Sequence, residues 1–218
     1  MSRRWRGLTV LITSGPTREH LDPIRFMTNA SSGRMGFALA SAARRLGARV
    51  VVVSGPTALR PPAGVEVVPV VSAAEMHRAV MARRAKADVV IGAAAVSDWR
   101  FAAAKGRKIK RRPGALRLTL LPNPDIIKDV ARRRRPGQIV VGFALETHDA
   151  LAYARRKLAA KRLDAVVANG PAALSGERSQ AVMIFKDGRS ARLGPATKEA
   201  LAKKILLELQ PLLDYPRG

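Results

Sequence analysis

The amino-acid sequence predicts a single α/β domain built on a Rossmann-like, doubly wound and mostly parallel sheet. Apolar runs alternate with helical patterns along most of the chain. These runs lack polar alternation, which is typical of strands buried on both faces of a parallel sheet. The 218 residues, 47% of them hydrophobic, contain no linker and no internal repeat. We therefore expect one domain over residues 1–218, with a core from about residue 8 to residue 213.

The predicted elements follow one another in a regular order. Strands are expected at Leu8–Thr13, Arg49–Ser54, Val65–Val71, Asp88–Gly92, Gln138–Phe143 and Asp164–Ala168. Helices are expected at Gly36–Leu46, Ala73–Arg84, Asn123–Arg134, His148–Lys161 and Thr197–Leu213. An Asn-Pro pair caps the third helix, and Pro211 should end the last helix a turn early. Because strands and helices alternate, the sheet should carry helices on both faces.

Two segments break this alternation. Residues 107–121 alternate around a turn at residues 112–115, and residues 181–193 alternate around a turn at residues 186–188. Both are predicted β-hairpins. Attached to an α/β core, the first is expected to serve as a flap and the second as a dimerisation arm.

Composition excludes several classes of protein. The chain has no cysteine, which excludes a disulfide framework, a Cys-ligated metal and a thiol nucleophile within it. The histidines His20, His77 and His148 show no metal-ligand spacing. No apolar stretch approaches the roughly 18 residues of a membrane span, and the run after the basic N-terminus is too short for a signal peptide. A soluble cytoplasmic protein is therefore expected.

The chain is strongly basic, with 40 basic and 16 acidic residues and a net charge of +24. Basic runs lie at residues 3–6, 107–112 and 132–135. Such an excess is typical of proteins that bind nucleic acid. Aromatic residues make up only 4%, however, and no stacking platform or recognition motif occurs. Arginine-rich solvated surfaces explain the charge more simply, and a basic nucleic-acid-binding protein stays an alternative.

A long segment at residues 14–36 joins the first strand to the first helix. Connections of this length in α/β units are usually functional. Gly15 opens the segment, and Ser31, Ser32 and Gly33 close it at a helix N-terminus, where free amides and the helix dipole favour a phosphate. Neither the Gly-x-Gly-x-x-Gly fingerprint nor the Walker lysine motif occurs. On the local pattern alone, an ordinary helix cap with glycines for packing remains open.

Several motifs of this chain resemble those of the phosphopantothenoylcysteine synthetase family. They lie at Gly15–Glu19, Asp22–Arg25, Asn29–Gly36, Gly92–Arg100, Lys108–Lys110, Asn123–Ile126, Val141–Thr147, the pair Lys157 and Lys161, and Asp164–Asn169. Each motif is weak alone. Their order and spacing match the family over nearly the whole chain, which makes the set highly specific.

The resemblance implies a two-step ligation in coenzyme A biosynthesis. The carboxylate of 4′-phosphopantothenate attacks the α-phosphate of a nucleoside triphosphate, which gives an acyl-nucleotide and pyrophosphate. The amine of L-cysteine then displaces the nucleoside monophosphate. The Lys-Ile-Lys and Ser-Ser-Gly-Arg-Met-Gly segments look like the bacterial form that uses CTP. The resemblance also implies a homodimer, and Mg²⁺ (or Mn²⁺) bound mainly through the nucleotide phosphates.

The resemblance also assigns residues to roles. Its catalytic residues are Asn29, whose carboxamide would contact the acyl group, and Lys108, whose ammonium would neutralise charge on the phosphates. Its nucleotide-binding residues are Gly92, Ala93, Ala94, Asp98, Lys108, Pro124, Asp125, Ile126, Ile127, Phe143, Lys157 and Lys161. The phosphate loop is Gly15 with Ser31, Ser32 and Gly33, and the substrate-binding residues are Arg25, Asn29, Ala94 and Ala95. Arg25 is the candidate for the pantothenate phosphate, across a dimer interface.

The sequence departs from the family in some respects. Many bacterial members are fused to a flavin-dependent decarboxylase, and this sequence has neither that half nor its thiol, so FMN is not expected and the decarboxylase would be a separate partner. His20 and Ala30 differ from the residues common in relatives, with no expected effect. An NAD(P)-dependent oxidoreductase on the same fold is the other alternative. Tyr153 and Lys157 have the spacing of one such family, but the glycine fingerprint and a catalytic serine are missing.

Overall fold

The structure of the protein is a computed structural model, which describes residues 3–111, 113–145, 149–170 and 178–213. Its strands are β1 (Thr9–Ser14), β2 (Arg18–His20), β3 (Phe26–Thr28), β4 (Arg49–Ser54), β5 (Glu66–Pro69), β6 (Val89–Gly92), β7 (Trp99–Phe101), β8 (Leu120–Pro122), β9 (Ile139–Leu145), β10 (Ala165–Asn169), β11 (Arg178–Phe185) and β12 (Ser190–Thr197). Its helices are α1 (Arg34–Arg45), α2 (Ala73–Arg83), α3 (Ile126–Arg132), α4 (Ala150–Ala160), α5 (Lys198–Glu208) and α6 (Gln210–Leu213). Short 3-10 turns lie at Arg3–Trp5 and Arg84–Lys86.

The central sheet has eight strands in the order β12-β11-β10-β9-β6-β1-β4-β5. Six neighbouring strands of this sheet are mutually parallel, namely β5, β4, β1, β6, β9 and β10. Numbered along the chain, these parallel strands lie in the order 3-2-1-4-5-6, which is the Rossmann arrangement. The predicted fold class is confirmed. After β1 the chain adds strands on one side of the sheet, and after β6 it adds strands on the other side. The boundary between β1 and β6 is the switch point, where ligands of such folds bind.

Apolar side chains cover both faces of the sheet, as the uninterrupted apolar strands predicted. On one face Val10 and Ile12 of β1 pack with residues of α1 and α5. On the other face Leu11 packs with residues of α2, α3 and α4. Successive side chains of a strand point to opposite faces, so β1 contributes to both cores. Among the described residues, no helix is long and apolar enough to cross a membrane.

Most predicted elements are confirmed, with shifts at their ends. The third helix begins at Ile126 and not at Asn123, because Asp125 is the residue that caps it and accepts a hydrogen bond from the Lys128 amide at 3.1 Å. The last predicted helix is divided at Leu209, and Pro211 lies in the short α6. The predicted start of the fourth helix, His148, lies outside the described residues, and α4 is described from Ala150.

The second predicted hairpin forms, but within the main sheet. Strands β11 and β12 pair in antiparallel fashion, with Ile184 opposite Ser190. Strand β11 also pairs antiparallel with β10, so the hairpin extends the sheet at its edge. Its use as a dimerisation arm remains a prediction.

The first predicted hairpin is wrong in its pairing. Residues 107–111 and 113–119 form no strand, Arg112 lies outside the described residues, and the antiparallel ladder is instead β7 with β8, where Trp99 faces Pro122. A turn at Pro113 and Gly114 would have set Lys110 opposite Arg117, and like charges directly opposite destabilise a ladder. The predicted flap is therefore a long loop between two short strands, and its role as a flap stays a prediction.

The long segment at residues 14–36 contains a small hairpin that the sequence did not predict. Strands β2 and β3 pair in antiparallel fashion from Arg18 opposite Thr28 to His20 opposite Phe26. Asp22 makes the turn, because its Oδ1 accepts hydrogen bonds from the amides of Ile24 and Arg25, both at 2.9 Å. An Asp-Pro pair is the usual signal for such a turn.

Candidate active site

The candidate site lies at the carboxyl ends of β1, β6 and β9, beside the switch point of the sheet. The chain segments that leave β1 and β6 are joined there, since Pro16 and Ala95 form a parallel bridge. The Ala95 amide donates to the Gly15 carbonyl at 3.0 Å. These contacts hold the loops after both strands side by side, and two adjoining cavities open above them.

The first cavity, here the α3 cavity, has a volume of about 290 Å³ and lies between the ends of β6 and β9 and the start of α3. Predicted nucleotide-binding residues that line it are Gly92, Ala94, Asp98, Pro124, Asp125, Ile126, Ile127, Phe143, Lys157 and Lys161. The structure thus brings together ten of the residues that the resemblance selected from four separate stretches of sequence. Their roles remain predictions.

The second cavity, here the α1 cavity, has a volume of about 470 Å³ and lies at the N-terminus of α1. Predicted residues that line it are Asn29, Ser31, Ser32, Gly33, Ala93, Ala94 and Ala95. The two cavities share Ala94, Val96, Asp98, Phe143 and Lys157. They therefore form one cleft with two compartments that meet at these five residues.

Charged groups of the α3 cavity are held by specific partners. Lys157 lies in the last turn of α4, and Lys161 is the residue at its C-terminal cap, where the Lys161 amide donates to the Lys157 carbonyl at 3.1 Å. The Lys157 ammonium donates to the Phe143 carbonyl at 2.5 Å. Lys161 forms an ion pair with Asp125 at 2.7 Å, so the residue that caps α3 also fixes the position of this lysine. Both lysines line the cavity in positions that these partners hold.

The absence of a side chain at Gly92 shapes the α3 cavity. A Cβ atom there would lie 3.1 Å from the Ile127 Cδ1. Such a contact is tighter than ordinary packing, so glycine allows the start of α3 to approach the end of β6. The alanines at 93–95 continue this small-residue surface into the α1 cavity.

Asn29 directly follows β3 and contacts the loop after β6. Its amide nitrogen donates to the carbonyls of Ala95 at 3.3 Å and Val96 at 3.1 Å. Both amide hydrogens are therefore engaged with this loop. A donor from Asn29 to an acyl carbonyl, as the resemblance implies, requires that one of these bonds be exchanged for the substrate.

The phosphate loop divides into two parts. Ser31, Ser32 and Gly33 line the α1 cavity directly before the first turn of α1, and that turn contains no acidic residue. Gly15 lies outside the lining of both cavities and packs below the loop, where a Cβ on Gly33 would lie 3.2 Å from the Gly15 Cα. A contact between Gly15 and a phosphate stays a prediction. Its positive φ of 75° and its packing explain why glycine is required.

Lys108 and Arg25 do not line either cavity. Lys108 is exposed on the loop between β7 and β8. Arg25 lies at the turn between β2 and β3, where its Nη2 contacts the Asp22 carboxylate at 2.5 Å and the Ile109 carbonyl at 2.9 Å. Arg25 thus contacts Ile109, the residue directly after Lys108.

Sequence reasoning missed two cations that line the α1 cavity. Arg34 is the first residue of α1, and Lys198 is the first residue of α5. Lys198 is only 7% exposed, and its burial, together with the nearby Arg34, lowers the pKa of its ammonium. No local pattern marks Lys198, because it lies in an ordinary amphipathic helix more than 160 residues from Arg34. The α1 cavity is consequently more cationic than the motifs implied.

Comparison with known proteins places the chain in a family. A family model described as DNA/pantothenate metabolism flavoprotein C-terminal domain matches residues 5–212. The chain belongs to this family. The solved structure of the C-terminal domain of the coenzyme A biosynthesis bifunctional protein CoaBC is 38% identical, has a TM-score of 0.85, and is covered over 100% of its length by 99% of this chain. The resemblance drawn from the motifs agrees with this membership.

Relatives of known name extend the comparison. The bifunctional protein CoaBC of Bacillus subtilis is 44% identical over 211 residues, which make up 94% of this chain and 52% of that protein. The chain thus spans about half the length of the curated relatives it matches. A Cab2 variant in complex with phosphopantothenate-cysteine has the same fold, with a TM-score of 0.79 and 19% identity over 97% of this chain and 87% of that one.

Proposed function

We propose that the chain joins 4′-phosphopantothenate to L-cysteine at the expense of CTP, in coenzyme A biosynthesis. The observation that carries the proposal is the cleft with two joined compartments, whose walls contain the predicted nucleotide residues on one side and Asn29 on the other. A ligase of this kind needs adjoining places for a nucleotide and for an acyl chain. Membership in a family whose curated members are named for coenzyme A biosynthesis supports the same conclusion.

In the proposed mechanism the nucleotide occupies the α3 cavity and its phosphates extend toward the α1 cavity. A carboxylate oxygen of phosphopantothenate forms a bond to the α-phosphorus, and the bond to the bridging oxygen of the β-phosphate breaks. Pyrophosphate leaves and an acyl-cytidylate remains. Lys157, which lines both compartments, lies where it can attract the phosphate chain, and Arg34 and Lys198 add positive charge at the α1 end.

The second step forms the amide bond. The cysteine amine attacks the acyl carbon, the bond from that carbon to the phosphate oxygen breaks, and CMP leaves with its electron pair while the amine loses a proton. Asn29 would turn one N–H from the Ala95–Val96 loop to the acyl oxygen as negative charge develops there. A carboxamide suits this task because it donates without carrying a charge.

A divalent cation fits the proposed site through the nucleotide. No cluster of three acidic or histidine side chains that could hold a metal occurs in the part of the chain that the structure describes. Mg²⁺ keeps most of its water and commonly binds one or two carboxylates together with substrate phosphates. Asp98 lines both compartments and is the residue that would contact it, whereas Asp125 is paired with Lys161. Mg²⁺ would neutralise charge on the leaving pyrophosphate.

We further propose a homodimer. Two accessory ladders, β2 with β3 and β7 with β8, lie beside each other and expose large apolar side chains. Ile24 is 63% exposed and Trp99 is 50% exposed. Isolated two-stranded ladders are marginal in water, so a second copy packed on this surface would stabilise them. A two-fold contact there would bring Arg25 of one protomer toward the cleft of its partner.

The proposed reaction can be tested by its products. Purified protein with phosphopantothenate, cysteine, CTP and Mg²⁺ should release pyrophosphate and CMP in equal amounts. Without cysteine, only one equivalent of pyrophosphate per active site should appear, because the acyl-cytidylate stays bound. Release of CDP and inorganic phosphate would contradict the mechanism, since it would show an acyl-phosphate intermediate. Absence of any turnover with CTP or ATP would contradict the ligase function itself.

A further inference from the structure

The buried carboxylate of Asp22 bonds to two loops, the turn between β2 and β3 and the loop between β7 and β8. Asp22 is 1% exposed. Its Oδ1 accepts from the amides of its own turn, and its Oδ2 accepts from the Arg25 Nε at 3.0 Å, from the Arg25 Nη2 at 2.5 Å and from the Ile109 amide at 3.1 Å. The last of these bonds spans 87 residues of sequence. Asp22 thus connects the β2–β3 turn to the flap loop.

Ile109 is held on both sides of its backbone. Its amide donates to Asp22, and its carbonyl accepts from the Arg25 Nη2 at 2.9 Å. A further bond, from the Lys105 amide to the Leu21 carbonyl at 2.8 Å, fixes the same loop to the same turn. Lys108 is the residue directly before Ile109, so its backbone position is set by these contacts.

A second Asp-Arg pair shows what a turn alone requires. Asp187 accepts hydrogen bonds from the Arg189 amide at 3.0 Å and from the Arg189 Nε at 2.8 Å. The side chains of that pair are 46% and 45% exposed, whereas the Asp22 side chain is 0% exposed. The local chemistry of the two turns is alike, but only Asp22 reaches a distant loop. Its burial and its bond to Ile109 therefore go beyond turn formation.

We infer that Asp22 and Arg25 form a latch that positions Lys108 for nucleotide activation. The residues around Lys108 that the structure describes form no strand, and the bonds of Ile109 and Lys105 to the β2–β3 turn hold this segment. Asp22 and Arg25 act as positioning residues, and the role of Lys108 rests on the proposed ligase function.

Limited trypsin digestion tests the latch without reference to activity. Arg107, Lys108, Lys110 and Arg111 are trypsin sites, and cleavage requires that the loop leave the turn. Asp22→Asn should raise the rate of cleavage at residues 107–111 at least tenfold, measured by mass spectrometry, because an amide nitrogen cannot accept from Ile109 and Arg25. Asp187→Asn is the matched control and should leave that rate unchanged. Should Asp22→Asn fail to fold, Arg25→Lys serves instead, since an ammonium cannot replace the fork of contacts to Asp22 and Ile109.

A kinetic measurement then separates positioning from general stability. Asp22→Asn should slow acyl-cytidylate formation at least tenfold and leave the reaction of added acyl-cytidylate with cysteine within twofold of wild type. Faster cleavage together with this selective loss supports the latch. Cleavage and turnover like those of the wild type would overturn it, and so would equal losses in both steps. If the wild-type protein releases no pyrophosphate while Asp22→Asn is still cleaved faster, the latch is retained and the ligase function is overturned.

Discussion

Replacing Gly36 by alanine should destabilise the protein, because the added methyl group has no space. The new Cβ would lie 2.4 Å from the Ser14 Oγ and 2.5 Å from the Ser14 Cβ. Ser14 is fully buried at the end of β1, and its hydroxyl donates to the Gly33 carbonyl at 3.0 Å. It can rotate away only by giving up this bond. The start of α1 would therefore move away from β1.

The size of the effect follows from three contributions. Overpacking of a buried contact costs about 1–3 kcal/mol, and separations this short place the cost near the upper value. Loss of the buried hydrogen bond costs about 1 kcal/mol, and the higher helix propensity of alanine returns about 1 kcal/mol. The lost hydrogen bond and the gain in helix propensity cancel, so the free energy of unfolding should fall by about 3 kcal/mol, the cost of overpacking. For a domain of this size that corresponds to a fall in Tm of about 6–12 °C.

Thermal unfolding followed by circular dichroism provides the assay, and Gly106→Ala provides the control. A Cβ on Gly106 would have no atom within 4 Å, so that variant should melt like the wild type. Because α1 carries the Ser31–Gly33 loop, Gly36→Ala should also weaken CTP binding at temperatures where it is still folded. A Gly36→Ala protein that melts within about 2 °C of the wild type would refute the packing argument, since such a shift corresponds to at most about 1 kcal/mol.

Three further predictions concern the site and the assembly. Lys108→Gln should abolish acyl-cytidylate formation, whereas Asn29→Ala should bind CTP normally but process the intermediate slowly. Mass spectrometry of quenched reactions distinguishes the two variants. Wild-type turnover in both would refute the assigned roles. The hydrogen bonds from Arg25 hold the pKa of Asp22 well below its usual value of 3.8, so its contribution to stability is present above that pH and is lost as the pH falls. The difference in Tm between wild type and Asp22→Asn should therefore shrink below about pH 4 in scanning calorimetry, and a constant difference would contradict this. Mixed Arg25→Ala and Lys157→Gln subunits, each inactive alone, should regain part of the activity if Arg25 of one protomer serves the cleft of its partner. Light scattering should show a dimer that strengthens with salt, since ions screen repulsion beyond about 10 Å at roughly 0.1 M. A fully active monomer would exclude shared sites.

The sheet could be predicted because its strands are buried on both faces. Strands such as β4 and β6 are uninterrupted apolar runs that no surface element would contain, and their boundaries agree with prediction to within a residue. The helices between them follow from the same alternation. The strand order 3-2-1-4-5-6 then follows from the fold class, and with it the location of the cleft.

The accessory elements could not be predicted in the same way. Strands β2, β3, β7 and β8 have three residues each and pair through contacts that depend on tertiary structure. The alternation at residues 107–121 is typical of a hairpin, but such a hairpin would place like charges opposite each other. Ile109 instead bonds to a carboxylate 87 residues away, a partner that no local pattern indicates.

Two of the clustered arginines at residues 132–135 also have partners that are distant in sequence. Arg134 pairs with Asp164 at 2.8 Å, and Arg135 pairs with Asp88 at 2.6 Å. These carboxylates also accept from the amides of Val140 and Thr9, at 2.8 Å and 2.7 Å, at the starts of β9 and β1.

The two arginines therefore neutralise carboxylates that fix the amino ends of parallel strands, at the edge of the sheet opposite to the cleft. In the sequence this run suggested a surface for a polyanion. In the structure half of the run pairs with carboxylates of the sheet. The cations that line the α1 cavity are isolated residues, Lys157 and Lys198 among them, that distant helices bring together. For this chain, we therefore expect an anion to bind where cations converge at the carboxyl ends of the strands, and not where the local density of charge is highest.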